Sequence, residues 1–164
     1  MRVEGAPPWL QEPALEVVDW LVVSYRSAFG APLLAGVGAG CPRRLVAQEV
    51  FAADQVVLAH DGSADPQLIY ANAAALRLWG RRWRELVGLP SRLTAEPGER
   101  AARALALATA RQQEALSGYG GIRVDRQGRR FRMENARLWT LRDNQGQARG
   151  QGATFGRWWW LAET

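Results

Sequence analysis

Residues 121–161, GIRVDRQGRRFRMENARLWTLRDNQGQARGQGATFGRWWWL, decide the fold. A two-residue period runs through 121–125, 129–141 and 147–161, interrupted by Asp-Arg-Gln-Gly (125–128) and Asp-Asn-Gln-Gly (143–146). An aspartate can bond its own backbone two residues on, and glycine supplies positive φ, so each interruption reads as a hairpin turn. Three strands joined by tight turns must be antiparallel neighbours, which excludes a doubly wound parallel sheet. The middle strand does not alternate cleanly. One parity carries Phe131, Met133, Asn135, Arg137 and Trp139, and the other carries Arg130, Arg132, Glu134, Ala136 and Leu138. The apolar set changes face near Glu134-Asn135, as a β-bulge would produce. Without a bulge, Asn135 and Arg137 would face inward as polar pocket candidates.

Upstream, Glu99–Leu116 is built of good helix formers behind Pro97 and predicts the longest central helix. Asn72–Trp79 offers a polar cap and a short helix ending at Gly80, and Trp83–Val87 makes one more turn before Gly88 and Pro90. Val56–His60 and Leu68–Ala71 read as two strands, the first closed by Asp61-Gly62. Arg43–Ala53 has no decisive pattern, and Leu33–Pro42 reads as a loop. Between Trp9 and Phe29 the residues Leu15, Val18, Val22, Tyr25 and Phe29 recur at spacings of three and four, which predicts an amphipathic helix. The order is that of an α+β domain. A five-stranded antiparallel sheet with helices across one face leaves a cleft between the layers, a PAS-like layout with an added N-terminal helix. Residues 1–42 are read as that helix and its linker, and 43–164 as the PAS-like unit.

With 164 residues, 48% of them hydrophobic and 23% charged, the chain has the make-up of one globular domain. Cys41 and His60 each stand alone, which excludes an internal disulfide and a Cys/His zinc site. There is no GxSxG elbow, HExxH pair, phosphate loop or suitably spaced carboxylate pair, so a non-enzyme is expected. The first residues lack a signal-type apolar core and no apolar run reaches membrane-spanning length, so a cytoplasmic protein is expected. All 21 basic residues are arginine. Residues 1–75 hold 4 Arg against 8 acids and residues 76–164 hold 17 against 8, for a net +5. A basic half can attract nucleic acid, and Arg157-Trp158 could stack on bases. An arginine-rich solvated face accounts for the same pattern, and no RNA-binding motif is present.

Several stretches resemble the MEKHLA domain, a PAS-related module that stands alone in bacterial proteins and ends plant class III homeodomain leucine-zipper factors. They are SYRSAFGAPLL (24–34), VVLAH (56–60), ADPQLIYANAAALRLWGRRWRELVGLPSRLTAEP (64–97), GYGGIRVDRQGRRF (118–131) and GQGATFGRWWWL (150–161). The six letters that name the family are absent as a string, and these 164 residues contain no homeodomain or zipper pattern ahead of the domain, so transcription-factor activity is not expected to carry over. The resemblance implies a sensory or protein-interaction module. Gly88–Leu93 is similar to the place where flavin-binding light-sensing PAS domains carry Gly-x-Asn-Cys-Arg-Phe. Ser91 stands where their cysteine would, and an alcohol cannot replace a thiol as the adduct-forming nucleophile.

Pocket candidates are Tyr70, Trp79, Trp83, Ser91, Arg92, Leu93, Phe131, Met133, Asn135 and Trp139, a set of indoles and apolar walls with a few polar tips. The alternative is a filled core. Arg92 could pair with a ligand anion or with backbone and Glu96; Asn72 is read as a helix cap; His60 is read as bracing its turn. A small apolar or aromatic ligand is the implied partner, and no residue pattern names a cofactor. The helix stripe Leu15, Val18, Val22, Tyr25, Phe29, together with Trp158 and Trp160 on the last strand, is read as a homodimer or partner interface, the alternative being that the helix caps its own sheet.

Overall fold

In chain order the elements are α1 (Ala14–Phe29), α2 (Arg43–Ala52), β1 (Val56–Asp61), β2 (Leu68–Ala71), α3 (Ala73–Trp79), α4 (Trp83–Leu86), α5 (Arg100–Gln113), β3 (Ala115–Val124), β4 (Arg130–Arg142), β5 (Ala148–Phe155) and β6 (Arg157–Trp160). Short 3-10 turns lie at Pro8–Leu10, Ser91–Thr94 and Pro97–Glu99. The structure, a computed structural model, describes residues 5–38 and 40–162.

Both turns of the C-terminal meander close on an aspartate. Asp125 Oδ1 accepts the backbone N–H groups of Gln127 (3.0 Å) and Arg129 (2.7 Å), and Asp143 Oδ1 accepts those of Gln145 and Gln147 (both 2.9 Å). Gly128 (φ 80°) and Gly146 (φ 78°) take the left-handed position that ends each turn. The sheet order is β2-β1-β5-β4-β3, with every pair antiparallel. After Gly156, β6 continues along β4 and pairs Phe131 with Trp160 and Glu134 with Arg157. The last predicted strand is thus one row in two segments. The face change expected near Glu134-Asn135 occurs at Asn135, where φ is 53° and the β3–β4 register shifts. Phe131 and Met133 before it, and Ala136 and Leu138 after it, are all buried on one face.

Helices cover both faces of the sheet. The inner face carries α3 and α5, with Leu78, Trp79, Phe131, Met133 and Phe155 in one cluster. On the outer face α1 and α2 bury Val57, Tyr70, Trp139 and Leu141 with Val18, Leu21 and Tyr25. Trp139 Nε1 donates to the Leu21 carbonyl at 3.2 Å, and Tyr25 and Phe29 meet its ring edge-on, with centroids 5.0 and 6.1 Å away. This approach requires Gly152, because a Cβ there would lie 2.8 Å from the Trp139 indole and 2.9 Å from Leu21 Cδ2.

The buried residues of α1 are Ala14, Val17, Val18, Leu21, Ser24 and Tyr25, a wide face rather than the narrow seam expected of a helix seeking another helix. Val18 (1% exposed) and Tyr25 (6%) are therefore internal to this chain, and Leu15, Val22 and Phe29 flank them half-buried. The helix caps its own sheet. It does not enclose the last strand, where Trp159 and Trp160 stay 41% and 40% exposed.

Three boundaries differ from expectation for local reasons. Pro13 delays α1 until Ala14, leaving Pro8–Leu10 as a separate turn. Arg43–Ala52 is a helix that buries only Ala47 and Val50, too sparse a pattern to announce itself. Finally, α5 stops at Gln113, where Glu114 turns left-handed (φ 65°), so Ala115–Leu116 begin β3 instead of ending the helix.

Candidate functional site

A cavity of about 50 Å³ lies between the inner face of the sheet and the α3–α5 layer. Most of its wall is apolar: Leu58 from β1, Met133, Ala136 and Leu138 from β4, Phe155 from β5, and Leu107 from α5. The polar groups converge from five elements. His60 ends β1, Trp79 ends α3, Ser91 and Thr94 come from the 3-10 turn, and Arg103 and Arg123 come from α5 and β3.

Each polar group is positioned by its neighbours. The Nδ1 of His60 lies 2.9 Å from the Asp61 carbonyl, an acceptor only, so Nδ1 carries the proton and Nε2 is left as a lone-pair acceptor. That Nε2 is buried and has no partner among the described residues, and the same holds for the indole N–H of Trp79. Burial, with Arg103 and Arg111 adding repulsion, holds the imidazole pKa down to about 4, so His60 is neutral at pH 7. Arg103 Nη2 donates to Ser91 Oγ at 2.8 Å. Arg123 Nη2 donates to the Tyr119 hydroxyl at 2.9 Å and Nη1 to the Ile122 carbonyl at 3.0 Å. Burial, and then the like charge of Arg123, bring the Arg103 pKa down to about 10. Gln151 Nε2 donates to the Leu107 carbonyl at 3.0 Å and pins α5 to β5 beside the cavity.

Of the ten pocket candidates, Trp79, Ser91 and Met133 line this cavity. Phe131 packs beside it, its ring against those of Trp79, Trp158 and Trp160. The others are elsewhere. Trp139 belongs to the outer face under α1, and Tyr70 and Trp83 pack against one another in that same outer cluster, their ring centroids 5.6 Å apart. Asn135 is exposed at the bulge. Arg92 is exposed and pairs with Asp65 at 3.1 Å, and Leu93 is 36% exposed. A two-sided sheet is the reason: alternation separates two faces without saying which helical layer covers each. Asn72 is a cap, as its position suggested, its Oδ1 accepting the Ala75 N–H at 3.2 Å.

The sequence reading passed over Arg103 and Arg123. A signal existed for the first, since Arg103 lies four residues before Leu107 and seven before Ala110, in the stripe that α5 turns inward. Arg123 shares the inward parity of Tyr119 on β3.

The cavity is too small for a flavin. Sites for molecules of that size enclose roughly 300–1,000 Å³, and Ser91 keeps its hydroxyl bonded to Arg103. Among the described residues no group of three or more His, Cys, Asp or Glu could hold a metal ion, and no helix is long and apolar enough to cross a membrane.

The architecture is that of known PAS structures. A PAS domain from Colwellia psychrerythraea is similar, with a TM-score of 0.60 and 16% identity over 68% of this chain and 92% of that one. An RNA-binding light-oxygen-voltage receptor matches with a TM-score of 0.58 and 22% identity over 76% of this chain, which spans only 35% of the receptor. A light-oxygen-voltage domain studied with a flavin analogue matches with a TM-score of 0.57 and 16% identity, over 73% of this chain and 86% of that one. No curated protein matches the chain. Residues 15–160 match the MEKHLA domain, a span that takes in α1, the whole sheet and the cavity, and the chain belongs to the MEKHLA domain family.

Proposed function

We propose that this chain is a cytoplasmic sensory module that binds a small ligand in the cavity under α5 and passes its state to a second copy or a protein partner. The observation that carries this reading is the cavity itself, lined by His60 and Trp79, two residues whose Nε2 and indole N–H are buried without partners among the described residues. Buried polar groups cost roughly 1–3 kcal/mol each when unpaired, so a ligand or water that pairs them is favoured. Binding rather than turnover is supported by Ser91, whose hydroxyl is held by Arg103 and has no bond to His60. The relay to a partner rests on the partly exposed indoles of Trp159 and Trp160 on β6, the second of which packs through Phe131 toward the cavity-lining Trp79.

The test pairs native mass spectrometry of the freshly purified protein with a thermal-shift screen of small metabolites. A ligand that raises the midpoint, and whose effect is lost when the cavity is filled by Ala136→Leu, supports the reading. A screen in which no compound shifts the midpoint, with no retained mass beyond that of the polypeptide, overturns it in favour of a solid-core adaptor domain.

A further inference from the structure

The described residues form nine close ion pairs, and neither Arg103 nor Arg123 is in any of them. Exposed arginines need no partner, but these two line a cavity. Arg123 is 5% exposed and Arg103 is half-buried, and burial first, then the like charge of Arg123, lower the Arg103 pKa. Of the acids nearby in sequence, Asp125 holds Arg129, Glu96 holds Arg130 and Glu114 holds Arg142, while Glu99, four residues before Arg103, forms no ion pair with either arginine. Burying two like charges without a counter-charge is costly, and the cost is relieved by an anion between them.

The remaining groups narrow the anion. The Trp79 N–H is a donor awaiting an acceptor, which a carboxylate oxygen satisfies. The neutral His60 Nε2 is an acceptor awaiting a donor. A bare carboxylate cannot supply one, and a hydroxyl on the same molecule can. Leu58, Met133 and Phe155 offer apolar contact to a short carbon chain. The cavity of about 50 Å³ has room for about four waters, since each needs roughly 10–15 Å³ by this measure, and covalently bonded atoms pack closer than waters, so a molecule of about five or six heavy atoms fits. Building on the reading of the cavity as a ligand site, we infer that it takes a short-chain hydroxycarboxylate, of the size of glycolate or lactate. The carboxylate lies between the guanidinium groups of Arg103 and Arg123, and the hydroxyl donates to His60 Nε2. Planar guanidinium forks suit carboxylate recognition better than a point charge would.

The experiment is a thermal-shift and calorimetric comparison, on the full chain, of lactate, glycolate, propionate, lactamide, propanol and inorganic sulfate. At about 10 mM, lactate or glycolate is expected to raise the midpoint by several degrees. Propionate, which lacks the hydroxyl, should bind at least about tenfold more weakly, and lactamide and sulfate should have no effect. Arg103→Met removes one charge while keeping a stem of similar length. It should leave the unliganded midpoint unchanged or higher, because an unpaired buried charge is gone, and abolish the lactate response. Equal shifts from lactate and lactamide, or from lactate and propionate, overturn the hydroxycarboxylate assignment while leaving a ligand site in place. So does an equal shift from sulfate. A lactate response that survives Arg103→Met overturns it as well. If no compound in the series shifts the midpoint, the hydroxycarboxylate assignment falls, and the ligand-site reading is decided separately by the metabolite screen and native mass spectrometry.

Discussion

Asn72 is fully buried and uses all four hydrogen-bonding positions of its amide. Its Oδ1 accepts the N–H groups of Val57 (3.0 Å) and Ala75 (3.2 Å), and its Nδ2 donates to the carbonyls of Val50 (3.1 Å) and Gln55 (2.8 Å). One side chain thus joins the end of α2, the start of β1 and the N-terminus of α3. Asn72→Ala leaves Val57 N–H and Ala75 N–H unpaired where water does not reach, at roughly 1–3 kcal/mol each, and removes a helix cap whose loss alone costs about 0.5–2 kcal/mol. The cap and the Ala75 bond are the same interaction, so the sum is about 2–5 kcal/mol. For a chain of this length that lowers the thermal midpoint by roughly 4–20 °C. Equilibrium urea unfolding followed by tryptophan fluorescence should show a lower midpoint concentration with an unchanged slope. Asn72→Asp adds a sign test. The carboxylate keeps both acceptor bonds but turns its second oxygen toward two carbonyls, so its folded-state pKa is raised above the unfolded value of about 3.9. The variant is then least damaged below that pH and loses stability as pH rises through the folded pKa. A loss below about 1 kcal/mol for Asn72→Ala would refute the view that this amide is the junction of the three elements.

Gly152→Ala should destabilise by about 1–3 kcal/mol through overpacking against Trp139 and Leu21, and combined with Leu21→Ala it should lose less than the sum of the two single losses, because the shortened side chain relieves one of the close contacts. His60 is buried neutral with its pKa lowered to about 4 against 6.5 unfolded, so the stability it contributes is present above pH 6.5 and is lost as pH falls toward 4. The full window is worth about 3 kcal/mol, and a His60→Gln variant should show a flatter stability profile between those limits; parallel profiles would exclude the assignment. Trp159→Glu, on the exposed side of β6, should change folding stability by under about 1 kcal/mol yet shift any self-association seen by sedimentation equilibrium toward monomer. An unaltered association constant would move the partner surface elsewhere.

What the sequence determined by itself is local. The two Asp-x-x-Gly turns are closed by the aspartate's own side chain and a left-handed glycine, interactions spanning at most four residues. The same holds for the Asn72 cap and the Gly80 end of α3, and for the bulge at Asn135, which the broken alternation of β4 announced. From these the antiparallel meander, and with it the α+β class, follows. The tertiary structure alone decided which layer lies over which face. Trp139 and Trp79 read alike in the chain, yet one is roofed by α1 and the other faces the cavity under α5. The α1 stripe looked like a seam for another helix, and it became a broad face on its own sheet because Gly152 lets Trp139 and Leu21 close together from positions 118 residues apart. Arg103 and Arg123 were two among 21 arginines until α5 crossed β3 and enclosed them without a carboxylate. A sheet buried on both faces has the same period of two on either side, so the pattern specifies alternation, and only long-range docking of the helices assigns each face its neighbour.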